Sequence, residues 1–225
     1  MDKEQYKIGI VDDDPSKVTQ MITMLRLCCN DDDGQPVKEK YVNYELIPVE
    51  IELIPIIGEM VESIIDSKLD GIIIDYKLSS QKAIAYSGVQ LATELSNRLF
   101  RFPVFVLTTY QDDLFNHELF DSYLVFDFDR YISEDSERIE LNSKLIEQIK
   151  KHRIEIQYWE KELIELLPRA GESSDIDGRI LELDTMLEKS IDGRDSISIP
   201  IKRDFSARKI DELISKIDKL IEGEQ

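Results

Sequence analysis

The sequence predicts an α/β protein: five parallel strands in the order 2-1-3-4-5, a three-layer αβα sandwich, followed by an all-α helical extension. Three observations predict it. The run 69–78, LDGIIIDYKL, places three consecutive isoleucines after Gly71 and ends on one carboxylate, Asp75, as a strand buried on both faces of a parallel sheet does. The stretches 6–11 and 103–107 are apolar in the same way; the first ends on Asp12, Asp13 and Asp14, the second on Thr108 and Thr109. Helical-period segments alternate with these strands, as crossover units require, and beyond residue 133 the composition turns charged and helical.

In chain order, residues 6–11 form the first strand and Pro15 opens the first helix. A proline in the first turn lacks only an N–H that would be unpaired there, and Asp14 before it is a good N-cap. Val18, Met21, Ile22 and Leu25 give that helix one apolar face. Residues 30–43 are mostly polar and make a loop longer than an ordinary αβ connection. Over 46–54, Val49, Ile51 and Leu53 alternate with Glu50 and Glu52, so the second strand has one wet face and belongs at the margin of the sheet. A helix over 58–68 turns Met60, Val61, Ile64 and Ile65 inward and leads into the Asp75 strand. A helix over 88–99, the apolar strand 103–107, a short helix over 112–120 and a fifth strand between 123 and 133 complete the alternation.

Right-handed crossovers leave few arrangements for such a sheet, and the more polar second and fifth strands fit its margins. In the order 2-1-3-4-5 the carboxyl ends of strands one and three are neighbours at a switch point, where open α/β sheets bind ligands. Asp12, Asp13 and Asp75 then converge, with Thr108 at the end of the adjoining strand.

Charge and composition exclude several functions. The 225 residues carry 47 acidic and 28 basic side chains, a net charge of −19, and such a surface repels phosphate backbones and anionic headgroups. Nucleic-acid binding and membrane association are therefore not expected. Residues 1–15 contain no leader-like apolar run, and no stretch approaches the ~20 apolar residues of a membrane span, so a cytoplasmic location is expected. The 42% hydrophobic content supplies one core of ordinary size plus an extension, divided as a first domain over 1–133 and a helical extension over 134–225. Cys28 and Cys29 are the only cysteines, and adjacent cysteines make a strained bridge, so neither a disulfide scaffold nor a zinc site is expected.

Three carboxylates a few ångströms apart repel one another by roughly several kcal/mol in a cleft, so the cluster needs a cation or protonation. An oxygen-only set with open positions suits Mg²⁺, which retains waters and accepts phosphoryl oxygens. Asp75 becomes a candidate nucleophile toward phosphorus, forming an acyl phosphate, and Thr108 a hydroxyl donor to a phosphoryl oxygen.

The pattern KIGIVDDDP, then GIIIDYKL, then FPVFVLTTY, over roughly residues 5–133, resembles the receiver domain of two-component response regulators. By that resemblance Asp12 and Asp13 are the acidic pair, Asp75 the phospho-acceptor and Thr108 the switch hydroxyl. Asp13, Asp75 and the backbone carbonyl of Lys77 would ligate Mg²⁺. The resemblance implies a histidine kinase or other phosphodonor as partner and a protein output partner. It also implies self-catalysed phosphorylation with slow self-dephosphorylation, and no other enzyme activity. A two-state rearrangement is implied too, in which Thr108 moves toward the phosphoryl group and a strand-five aromatic, Tyr123 or Tyr131, turns inward. The family's strand-five lysine is missing: counting from Tyr123 its position falls on Phe126, and from Tyr131 on Glu134. Arg130 is the cation nearby and the candidate replacement. The segment from Asp75 to Gly88 is also longer than the family's.

In the extension, Ile149, Ile156 and Leu163 recur every seven residues, beside a second row of Leu145, Trp159 and Leu166 interrupted by His152. Helices are expected over 136–167, 179–191 and 206–221, packing on themselves or on a second copy as a homodimer. Two other functions compete with a phosphorylated receiver. One is a phosphorylation-independent pseudo-receiver acting as an interaction module. The other is a haloacid-dehalogenase-like phosphatase, which Asp12-Asp13-Asp14 after a buried strand resembles and which would use Asp12 as nucleophile.

Overall fold

The computed structural model describes residues 3–31, 35, 39–78, 84–109 and 125–191. Within them β1 (Glu4–Val11), β2 (Tyr44–Glu50), β3 (Gly71–Asp75), β4 (Val104–Thr108) and β5 (Val125–Asp127) form one all-parallel sheet in the order β2-β1-β3-β4-β5. The strand order is the one read from the sequence. Val11 pairs with Ile74, Asp75 with Leu107 and Thr108 with Asp127, so the carboxyl ends of four strands lie level.

Alternation along the central strands builds a core on each face. Ile73, Phe105 and Leu107 join Ile8 and Ile10 against α1 (Pro15–Leu27), α4 (Phe128–Ser133) and the first half of α5 (Asp135–Leu166). On the other face Ile72, Ile74, Val104 and Val106 pack against α2 (Ile57–Asp66) and α3 (Gly88–Arg98). These are the three layers.

The chain divides into two compact units, Met1–Ile154 and Glu155–Gln225. The expected boundary after residue 133 falls at the short break between α4 and α5, whereas the compact unit runs on to Ile154. Arg138, Leu141, Asn142, Leu145, Ile146 and Ile149 of α5 are all at most 1% exposed, because they cover the sheet face beside α1. Arg138 is tolerated there because its guanidinium donates to the Asn30 carbonyl at 2.7 Å and to Asp135 at 2.6 Å.

In the second unit α5 ends in a turn, and α6 (Ser174–Ile191) runs back alongside it. Arg179 on α6 donates through two nitrogens to Glu162 on α5, at 2.7 and 2.8 Å, and Trp159 and Leu183 are buried.

Several boundaries differ from the sequence reading. β2 stops at Glu50, although Ile51 and Leu53 beyond it are buried. Among the described residues strand five is Val125–Asp127, and it ends there because Asp127 accepts the Arg130 N–H at 2.9 Å and caps α4 at once. Tyr131 therefore stands on a helix. The helix expected from residue 179 begins at Ser174, where the Ser173 hydroxyl caps it by accepting the Ile176 N–H at 3.3 Å. The helices expected over 112–120 and 206–221 lie outside the described residues, as does Tyr123. Among the described residues no helix is long and apolar enough to cross a membrane.

Candidate functional site

The site is built at the switch point from three chain segments. Asp12 and Asp13 follow β1 directly. Asp14 then caps α1, accepting from the Ser16 N–H at 2.8 Å and the Ser16 hydroxyl at 2.7 Å, and Pro15 fixes the first turn. Asp75 is the last residue of β3, the neighbouring strand. Its backbone is closely covered by the start of α3, whose capping box pairs Ser87 and Gln90. The Gly88 N–H donates to the Tyr76 carbonyl at 2.9 Å, and a Cβ on Gly88 would overlap the Asp75 carbonyl oxygen. Only glycine lets α3 sit so near Asp75.

Asp12, Asp13 and Asp75 are 7%, 3% and 3% exposed, and each offers a carboxylate oxygen within 4.8 Å of the others. Asp12 Oδ1 accepts the Asp14 N–H at 2.8 Å, but its Oδ2 is buried without a hydrogen-bond partner. Burial first, and the Asp75 charge second, push the Asp12 carboxyl up to about 7. Asp75 is raised by burial too, against the opposing pull of Lys17 and the Lys77 amide. A buried oxygen with no donor, beside the raised carboxyl groups of Asp12 and Asp75, belongs to a set that could hold a metal ion. Their oxygens lie within 4.8 Å of one another, and an oxygen-only set of this kind suits a hard divalent cation.

This sheet order, with this acidic cluster at its switch point, decides the architecture. The fold is a doubly wound, all-parallel α/β sandwich.

No family model matches the chain, and neither does a curated protein. Among solved structures it is similar to the anti-anti-sigma factor PhyR from Bartonella quintana, at 13% identity and a TM-score of 0.43, over 69% of this chain and 51% of that one. It thus spans about half of that protein's length. A sensor protein from Polaromonas sp. JS666 matches at 16% identity and a TM-score of 0.40, over 65% of this chain and 97% of that one. The apo receiver domain of nitrogen regulatory protein C matches at 18% identity and 0.33, over 60% and 94%.

Of the residues singled out in the sequence, the structure brings together Asp12, Asp13 and Asp75. Thr108 is buried at the carboxyl end of β4, one residue beyond the partner of Asp75. The Lys77 N–H donates to Asp75 Oδ2 at 3.1 Å, so that backbone borders the cluster. Tyr131 is buried, with its hydroxyl donating to Asn142 Oδ1 at 3.2 Å.

Arg130, the expected substitute cation, is placed differently. It lies half exposed on α4, ion-paired with Glu134 at 3.1 Å and with Glu137, because the helix that starts at Phe128 carries it along an acidic face. The cation found beside Asp75 is Lys17, whose Nζ is 3.4 Å from Oδ1. Burial would lower this ammonium, but Asp75 and Asp12 hold it above its usual value. A sequence signal for Lys17 existed: it stands in the first turn of a helix, where the macrodipole disfavours a cation.

Proposed function

We propose that the chain is a phosphoryl-accepting receiver of the two-component type. Asp75 takes a phosphoryl group from an external donor, a histidine kinase being the expected one, and the modified state is read by the helical region or by a protein partner. Asp12, Asp13 and Asp75, with the Lys77 backbone, would hold Mg²⁺. Bound there, the ion supplies positive charge against the three carboxylates and the incoming phosphoryl oxygens.

The chain's own groups do the rest. An Asp75 carboxylate oxygen forms the bond to phosphorus while the bond to the donor breaks, and the leaving group departs with its electron pair. Asp75 enters as the carboxylate, so no proton is removed from it. The Thr108 hydroxyl is positioned at the adjoining strand end to donate to a phosphoryl oxygen, and its movement is the expected switch. Self-phosphorylation and slow self-dephosphorylation would be the whole of its chemistry.

The observation that carries this reading is the buried, partnerless Oδ2 of Asp12 beside Asp13 and Asp75. Calorimetric titration with beryllofluoride, a phosphoryl mimic, tests it. Binding is expected only with Mg²⁺ present and is expected to vanish in Asp75→Asn. Sedimentation with and without the mimic would report whether the helical region forms a homodimer under its control.

One observation favours a second reading, a phosphorylation-independent interaction module: Lys17 already pairs with Asp75. Under that reading the wild-type chain binds neither Mg²⁺ nor the mimic.

A further inference from the structure

We propose that Lys17, from the first turn of α1, is the cation that holds the phosphoryl group on Asp75, in the role that a lysine at the end of the fifth strand would otherwise fill. The inference rests on the receiver reading of Asp75 and assigns a residue to its missing part. Lys17 Nζ lies 3.4 Å from Asp75 Oδ1, and the Asp75 side chain is only 5% exposed. The same ammonium lies 5.1 Å from the ring centroid of Phe128, the first residue after β5. It is thus bracketed by the Asp75 carboxylate of β3 and the residue that follows β5. A side chain from α1 has reached the position that a cation at the end of β5 would take.

The local sequence fixes this placement. Asp14 and Pro15 set the first turn of α1, and Lys17 is its third residue. A lysine there opposes the helix dipole, a cost that the cleft carboxylates offset. The two Asp75 oxygens are already differentiated: Oδ2 accepts from the Lys77 amide and Oδ1 faces Lys17. A phosphoryl group joined through Oδ1 would replace the single carboxylate charge with about two on the phosphoryl oxygens, within reach of an ammonium with three donors on a flexible stem. With acetyl phosphate as donor, the Asp75 oxygen forms the new O–P bond, the P–O bond to acetate breaks and acetate leaves with the electron pair. Lys17 stays an ammonium throughout and contributes hydrogen bonds.

The test is Lys17→Met in the full-length chain, read by two titrations with thermal denaturation as a control on folding. The Lys17 side chain is 24% exposed, so the variant should fold as the wild type does. Beryllofluoride affinity at saturating Mg²⁺ should fall about tenfold or more, the loss of one charge-assisted contact. Mg²⁺ affinity without the mimic should instead rise, because a competing positive charge has gone. Lys17→Arg should recover part of the beryllofluoride affinity. A purely structural role would not move the two affinities in opposite directions. Wild-type binding of the mimic with unchanged affinity in Lys17→Met would overturn the inference and leave the receiver reading standing. Tighter binding of both ligands would also overturn it, marking Lys17 as an occluding counter-ion. If the wild type itself binds no mimic, the inference and the receiver reading fall together.

Discussion

The Tyr131 hydroxyl donates to Asn142 Oδ1 at 3.2 Å, and Asn142 Nδ2 donates in turn to the carbonyls of Cys28 at 2.6 Å and Met24 at 3.1 Å. One fully buried amide therefore joins α4, α5 and the end of α1. Asn142→Ala should strand a tyrosine hydroxyl and two carbonyls, and cost about 2–4 kcal/mol. Tyr131→Phe leaves one acceptor unpaired and should cost about 1–2 kcal/mol. Urea denaturation measures both; wild-type stability in Asn142→Ala would mean the network carries no load.

The first half of α5 belongs energetically with the sheet. Ile149 is 1% exposed in the same core as Ile8 and Ile10, so Ile149→Ala should cost about 2–5 kcal/mol. Arg153 ion-pairs with Glu4 at 2.9 Å and Asp70 at 2.7 Å, but it is 42% exposed and Arg153→Ala should cost about 1 kcal/mol or less. A fragment ending at residue 154 should unfold cooperatively, and one ending at 133 should not. Circular dichroism melts of the two fragments would distinguish these outcomes.

Gly88 sets the distance between α3 and the Asp75 end of β3. Gly88→Ala places a methyl group on the Asp75 carbonyl oxygen, so α3 must shift or β3 must bend. The expected loss is about 1–3 kcal/mol of stability together with weaker Mg²⁺ binding, read by calorimetry on the same sample. Ala at Gly58, where a Cβ meets nothing within 4 Å, should be neutral or slightly stabilising and serves as the control.

Asp12 gives the metal-free protein a pH dependence of definite sign. Its carboxyl is raised from 3.8 to about 7, so between those values the folded state binds a proton that the unfolded chain has released. Stability should therefore fall as pH rises through this window, by on the order of a few kcal/mol in all. Asp75, raised in the same direction, adds to the slope. Asp12→Asn should flatten the difference between pH 4 and pH 7 in chelator-treated samples. An equal slope in wild type and variant would show that Asp12 does not hold that proton.

The parts of this molecule that were legible in sequence were those with unambiguous periodicity. β3 and β4 announce themselves because both faces are buried and every residue is apolar until the terminal Asp75 or Thr108. The acidic cluster followed from strand order alone. The docked half of α5 was obscured because its buried face includes Arg138, Asn142, Ser143 and His152, which break the apolar row. Arg138, Asn142 and Ser143 meet partners distant in sequence, the Asn30 carbonyl, the Cys28 carbonyl and Cys29 Sγ, and no local pattern encodes that. The described part of strand five, Val125–Asp127, passes at once into a helix, so the residues after it carry no strand alternation to fix a register. Lys17 reaches Asp75 from a helix and not from a strand end, so no strand-end pattern points to it.

The most direct measurement is chemical location of the acyl phosphate. The full chain is incubated with acetyl phosphate and Mg²⁺, trapped by borohydride reduction and mapped by peptide mass. One modified residue is expected, Asp75, dependent on Mg²⁺ and absent from Asp75→Asn. A modification at Asp12 instead, or none at all in a chain that binds Mg²⁺, would contradict the assignment of Asp75 as phosphoryl acceptor.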